Sequence, residues 1–195
     1  VELPALLLVA LAVAVVIKSF LIQPFYIPSE SMLPTIEVND RVMVSKLSYR
    51  FGTPERGDIV VFISPFDDVQ DGETIAQTVL RNVLEALGIR AASAEDFIKR
   101  VIAVEGDRIE VRHNRVLVNG VAIEEAYLPE GTRMGDEPEM TVPAGHVFVM
   151  GDNRSESFDS RRFGAIPVED IVGEAVVRIW PLDRLGAVDA VTASG

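Results

Sequence analysis

Between Pro28 and Thr35 the chain reads "PSESMLPT", with serines at 29 and 31 and prolines at 28 and 34. A serine hydroxyl becomes a nucleophile when a neighbouring base takes its proton near neutral pH. Histidine is the usual base, and the chain has two, His113 and His146. Lysine can serve instead when burial lowers its pKa from about 10.4 by several units. The three lysines are Lys18, Lys46 and Lys99, and the last two lie among apolar residues in "VMVSKLSY" and "DFIKRVIAV". Spacing alone leaves Lys46, Lys99 and both histidines open. The prolines hold "SESM" at both ends, because each fixes its own φ and biases the residue before it toward extended backbone. A nucleophile with little remaining freedom gains rate through orientation. A third polar stretch, "GDNRSESFDSRRFG" from Gly151 to Gly164, has the composition of a tight loop. Its Asp and Arg residues can tie it down by ion pairs.

Other chemistries are excluded or unsupported. The chain has no cysteine, which removes thiol catalysis, thiolate metal sites and disulfides. No HExxH, EF-hand or P-loop pattern occurs, so the expectation is no metal and no nucleotide cofactor. Asp and Glu total 30 against 18 Lys and Arg, and a net charge of −12 argues against nucleic acid as a partner.

The elements that must position these residues begin with "LPALLLVALAVAVVIKSFLI", Leu3–Ile22, whose only charge is Lys18. Twenty helical residues reach about 30 Å, the thickness of a bilayer's hydrocarbon core. This predicts a transmembrane anchor over residues 1–24, and the start at Val1 without methionine leads us to expect native residues upstream. After Pro24 the chain turns to short runs of Val, Ile and Phe broken by Gly, Asn, Asp and Pro: "DRVMVSKLSY", "GDIVVFI", "FIKRVIAV", "DRIEVRHNRVLVNGV", "GHVFVMGDN" and "IVGEAVVRIW". These runs predict a mostly β domain over 25–195, with a hairpin whose tip is His113 and Asn114. Apolar residues at helical spacing from Glu73 to Leu87 predict an amphipathic helix, part of an insertion over about 67–96. A β-rich subdomain is expected over about 107–148. "PEGTRMGDEPEM", 129–140, reads as an exposed polar loop, and the C-terminal "VDAVTASG" as frayed.

Four pieces in order, "IPSESMLPTI" (27–36), "RGDIVVF" (56–62), "FIKRVIAVEGDRIE" (97–110) and "GDNRSESFDSRRFG" (151–164), resemble the bacterial type I signal peptidases, or leader peptidases. The resemblance spans most of residues 20–180. It implies a membrane-anchored β fold carrying a Ser-Lys dyad, with Ser31 as nucleophile and Lys99 as general base. Ser29 and the backbone N–H of Ser31 would form the oxyanion hole, and Ser157 would orient the lysine amine. Asp152, Asp159 and Arg161 would hold the site loop, while Phe25, Ile27, Pro28, Met32, Ile36, Phe97 and Ile98 would form two shallow apolar substrate pockets.

The implied reaction removes signal peptides from secretory precursors, cutting after small residues at positions −1 and −3, on the extracytoplasmic side of the bacterial cell membrane. Signal peptides and membrane lipid are the implied partners. Two departures from the family pattern stand out: Glu30 separates the serines where relatives often carry glycine, and "IAVEGD" comes after the lysine strand. The rival reading is a non-catalytic, membrane-anchored β-rich assembly or adhesion module, which accounts for the anchor and strands but not for four ordered motifs.

Overall fold

Runs of alternating Val, Ile and Phe make strands because their branched side chains pack on a pleated surface. The computed structural model describes Leu6 and residues 21–64 and 96–188. Leu3–Ile22 lies outside these residues except for Leu6, Leu21 and Ile22, and the helix expected at 73–87 and the tail from 189 lie wholly outside. Among the described residues, no helix is long and apolar enough to cross a membrane.

The strands in chain order are β1 (Ile22–Tyr26), β2 (Arg41–Ser45), β3 (Ile59–Ile63), β4 (Asp96–Val104), β5 (Arg108–Arg112), β6 (Arg115–Val118), β7 (Val121–Ala122), β8 (Glu137–Thr141), β9 (His146–Met150), β10 (Ile166–Pro167), β11 (Ile171–Trp180) and β12 (Gly186–Ala187). The larger sheet runs β1-β2-β11-β3-β4-β9-β10, with β12 added to β11, and the smaller runs β7-β6-β5-β8. Every pair is antiparallel. The smaller sheet's strands fall between Arg108 and Thr141, and β9 from His146 onward belongs to the larger sheet.

Strand β3 lies inside the larger sheet and is buried on both faces. Ile59 and Val61 pack with Phe25, Ile27, Met32, Ile36 and Ile98, while Val60 and Phe62 pack with Val101, Val147 and Val149. Burying one such side chain contributes about 1.5–3 kcal/mol. Beside it, β4 pairs Lys99 with Val60 and Arg100 with Ile59, which carries two consecutive cations into the interior. A third cluster, around Ile109, Val111, Val116, Val118 and Phe148, joins the smaller sheet to β9.

The hairpin tip agrees with its prediction. His113 and Asn114 have φ of 52° and 63°, the left-handed pair that a two-residue turn between twisted strands requires. Three other expectations need correction. Residues Ile22–Pro24 belong to β1, which pairs with β2, so the β domain starts inside the segment assigned to the anchor. The run from Asp40 to Tyr49 is strand only to Ser45, and Ser48–Phe51 forms a helical turn. The loop at 129–140 ends in β8, a charged strand whose register with β5 sets Met140 opposite Ile109, packed on the third cluster. Its polar composition hid it because only one face meets the core.

Candidate active site

The serines stand on a turn. Leu33 N–H donates to Glu30 O at 3.1 Å and Ile36 N–H to Met32 O at 3.0 Å, so the chain reverses directly after Ser31. The polar loop after β9 clamps this turn from below: Asn153 N–H donates to Ser31 O at 3.0 Å and Asn153 Nδ2 to Glu30 O at 3.1 Å. The approach is close enough to require glycine at 151, where a Cβ would fall 2.4 Å from Ser31 O and 2.3 Å from Ser157 Oγ.

Strand β4 brings Lys99 to the same point. Its Nζ donates to Ser31 Oγ at 2.7 Å and to Ile98 O at 2.9 Å, and the residue is 4% exposed. Burial lowers the amine's pKa from 10.5 to about 8, against the Asp159 and Asp152 carboxylates, which raise it. The Phe97 ring centroid lies 5.4 Å from Nζ. An amine of this kind is neutral in a sizeable fraction of molecules at mildly alkaline pH, as proton abstraction from a serine requires. Lys46, His113 and His146 are elsewhere: Lys46 comes directly after β2 with its N–H on Leu21 O, His113 is at the hairpin tip, and His146 opens β9.

Ser29 Oγ is 3.4 Å from Ser31 Oγ, on the exposed side of the turn. Ser157 lies beside Gly151, but its buried Oγ makes no hydrogen bond, so the expected bond to Lys99 is not formed. It is near enough to Asp159 to help lower that carboxyl without the geometry of a bond. Burial works against the Asp159 carboxylate, yet the Arg161 guanidinium and the Gly151 N–H outweigh it and hold its pKa below the usual range. Asp159 takes Arg161 Nε at 2.8 Å and Nη2 at 2.7 Å and caps the helical turn Ser160–Phe163, which keeps the loop in shape.

Asp152 pairs outside its own loop. Arg100, fully buried, grips it with Nε–Oδ1 at 2.9 Å and Nη2–Oδ2 at 2.7 Å, and Thr35 of the serine turn donates to Oδ2 at 2.6 Å. Arg100 Nη1 donates to Gly57 O at 2.9 Å, where Gly57 takes a φ of 100° that a residue with a Cβ resists. Thr35, Gly57, Arg100 and Asp152 come one from each of the four ordered motifs, which thus meet around the Arg100–Asp152 pair, and Arg56 of the second motif also pairs with Asp107 of the third. On its other side Arg100 stacks 4.0 Å over Tyr127, near Arg154, which pairs with Glu125.

A cleft of about 570 Å³ opens at Ser31 and Lys99, walled by Phe25, Tyr26, Ile27, Pro28, Val61, Phe97, Ile98 and Phe158, with Asp96 and Glu156 at its polar positions. Met32 and Ile36, expected as pocket residues, do not line it. The turn after Ser31 drives both into the core beneath, where each is 0% exposed. Sequence reading also missed Arg100, Thr35, Asn153, Tyr26, Val61 and Phe158. Arg100 carried the same signal as Lys99, a cation inside an apolar strand, and Asn153 stood in a motif already singled out. Thr35, Val61 and Phe158 also stood inside the quoted motifs, and Tyr26 alone had no local mark. Among the described residues, no group of His, Asp and Glu is arranged to hold a metal.

Known proteins resemble this chain along most of its length. Residues 1–180 match the family model described as signal peptidase, peptidase S26. The chain is 43% identical over 180 residues to signal peptidase I of Leptolyngbya laminosa, covering 91% of this chain and 78% of that one. It is 42% identical over 176 residues to thylakoidal processing peptidase 1, chloroplastic, of Arabidopsis thaliana, covering 90% of this chain but only 47% of that longer one. It is 36% identical to signal peptidase I of Mycobacterium tuberculosis over 223 aligned positions, covering 97% of this chain and 76% of that one. A solved signal peptidase I from Enterococcus faecalis V583 superposes with a TM-score of 0.45 at 26% identity, over 63% of this chain and 96% of that one. On the sequence matches alone, the chain belongs to the signal peptidase family, peptidase S26.

Proposed function

We propose that this protein is a membrane-tethered serine endopeptidase that removes N-terminal signal peptides from secretory precursors with a Ser31–Lys99 dyad. The observation that carries the reading is the 2.7 Å contact between Lys99 Nζ and Ser31 Oγ, made by a buried amine whose pKa falls to about 8. The neutral amine takes the hydroxyl proton as Oγ bonds to the scissile carbonyl carbon, and the carbonyl electron pair moves to oxygen. Ser29 Oγ and the Ser31 N–H hold that oxyanion, and loss of one such donor costs about 3–4 kcal/mol. The C–N bond then breaks, and Lys99 passes its proton to the leaving amine. Water, deprotonated by Lys99, attacks the resulting ester and restores Ser31. The apolar cleft suits small side chains at the first and third positions before the cut.

The apolar segment Leu3–Ile22 is the anchor in this reading, with lipid around it and the β domain on the extracytoplasmic side of the bacterial cell membrane. The start of β1 at Ile22 supports this reading, since a short stretch of chain then separates the anchor from the serine turn and suits cleavage where a precursor's apolar region ends. The reaction as written needs no metal and no cofactor.

The test is cleavage of a secretory precursor in detergent or liposomes by the parent, Ser31→Ala and Lys99→Ala. Cleavage after a small residue by the parent alone is expected. Undiminished activity of Lys99→Ala would remove the dyad, and a folded but inert parent would favour the assembly or adhesion module.

A further inference from the structure

The cleft at Ser31 ends at a ridge, and a second groove lies beyond it. The ridge is the serine turn joined to the loop after β9 through the bonds from Asn153 to Ser31 O and Glu30 O. On the near side, Ser29, Ser31, Glu156 and Phe158 face the cleft. On the far side, Leu33 and Pro34 of the same turn and Ser155 of the same loop face a groove of about 530 Å³, closed by Pro129, Thr132 and Arg133 of the smaller sheet's loop. A volume of this size is typical of ligand clefts.

That far wall is built, not loose. Asn114 at the hairpin tip donates from Nδ2 to Thr132 O at 2.6 Å and accepts from Met134 N–H at 2.7 Å, and Thr132 Oγ1 donates to Pro129 O at 2.7 Å. The groove is thus formed before any ligand arrives, and its apolar surface comes from Leu33, Pro34 and Pro129. Neither wall has a role in the dyad.

We propose that this groove binds the first few residues after the scissile bond, the N-terminal end of the mature protein; the proposal rests on the peptidase reading above. A peptide whose residues before the cut fill the cleft presents its scissile carbonyl to Ser31. The residues beyond the cut must leave the cleft, and the groove walled by the same serine turn and the same loop after β9 is the one on the other side of Ser31. The same two segments wall both, so one extended chain crossing the ridge occupies the two in turn. The subdomain then contributes to substrate recognition through its loop at 129–133.

The test uses the full chain in detergent and two peptides identical up to the cut, with alanine at the first and third positions before it. One carries a single amidated residue after the cut and the other carries five. For the parent, kcat/KM should be about tenfold higher or more for the longer peptide, equivalent to roughly 1.4 kcal/mol. In Thr132→Trp, which fills the groove, the ratio of long to short should fall toward one. Ser155→Trp fills it from the opposite wall and answers the same question if the first variant does not fold. The mature-end pentapeptide with a free amine should inhibit the parent competitively and lose that effect in the filled variant. Equal kcat/KM for both peptides on the parent, or a ratio that survives filling, overturns the groove. Failure of the folded parent to cut either peptide overturns the peptidase reading itself and the groove with it.

Discussion

Two cations stand side by side on β4, and the fold treats them in opposite ways. Arg100 has a carboxylate in bidentate contact, a backbone carbonyl and an aromatic face, all out of water. Lys99 has a hydroxyl and a carbonyl, both neutral, and the nearest carboxylates act on it only from a distance. Successive side chains on a strand point to opposite faces, so neighbours in sequence meet different surroundings. Around Arg100 the interior compensates a charge and uses it to join the serine turn, the β9 loop and the smaller sheet. Around Lys99 the interior withholds compensation, which is what turns an amine into a base.

The most severe way to break this contrast is to take the Asp152 carboxylate away from Arg100. Asp152→Ala removes the bidentate carboxylate from a buried guanidinium and should destabilise the protein by about 3–5 kcal/mol, read as a lower urea midpoint. Removing the uncompensated charge should do the reverse. Lys99→Met keeps an apolar chain of similar length and should stabilise the fold by up to about 3 kcal/mol below pH 8, while abolishing cleavage. The sign comes from linkage: the folded amine has a pKa of about 8 against 10.5 unfolded, so the burial penalty is fully present below pH 8 and vanishes above 10.5. Thermal melts of the two proteins at pH 7 and pH 11 check it; an equal difference at both would show that the amine is not the cause.

Smaller effects sharpen the comparison. Thr35→Val removes the hydroxyl bond to the Asp152 carboxylate without changing volume, and should cost about 1.5–3 kcal/mol of stability with little change in KM. The rate of cleavage by the parent should climb with pH and level off above about 8, where Lys99 is neutral. A limb near pH 6.5 would point to a histidine.

Much of the fold was legible because its signals are local. The turn at His113 and Asn114 needs two positive φ angles, and the residues that tolerate them sit between two short apolar runs. The strands around Val60, Lys99 and Val149 are marked by their own branched side chains. Strand β8 was not legible, since "EPEMT" has neither alternation nor propensity and is held by pairing with β5. Met32 and Ile36 misled for a related reason. Close to Ser31 in the chain, they belong to the core in space, because the turn that sets Ser31 at the cleft points Met32 and Ile36 away from it.

The sequence by itself determined the inventory of chemistry: no thiol, three lysines, two serines in a proline frame, and four motifs in a particular order. Local pattern also determined that most of the chain after Pro24 would be β. Only the tertiary structure brought Lys99 rather than Lys46 against Ser31, joined Asp152 to Arg100 rather than to an arginine of its own loop, and drew the boundary between cleft and core. Those choices depend on desolvation and on contacts between residues as far apart as Ser31 and Lys99. Burial and long-range pairing are properties of the packed chain, and no short stretch of residues contains them.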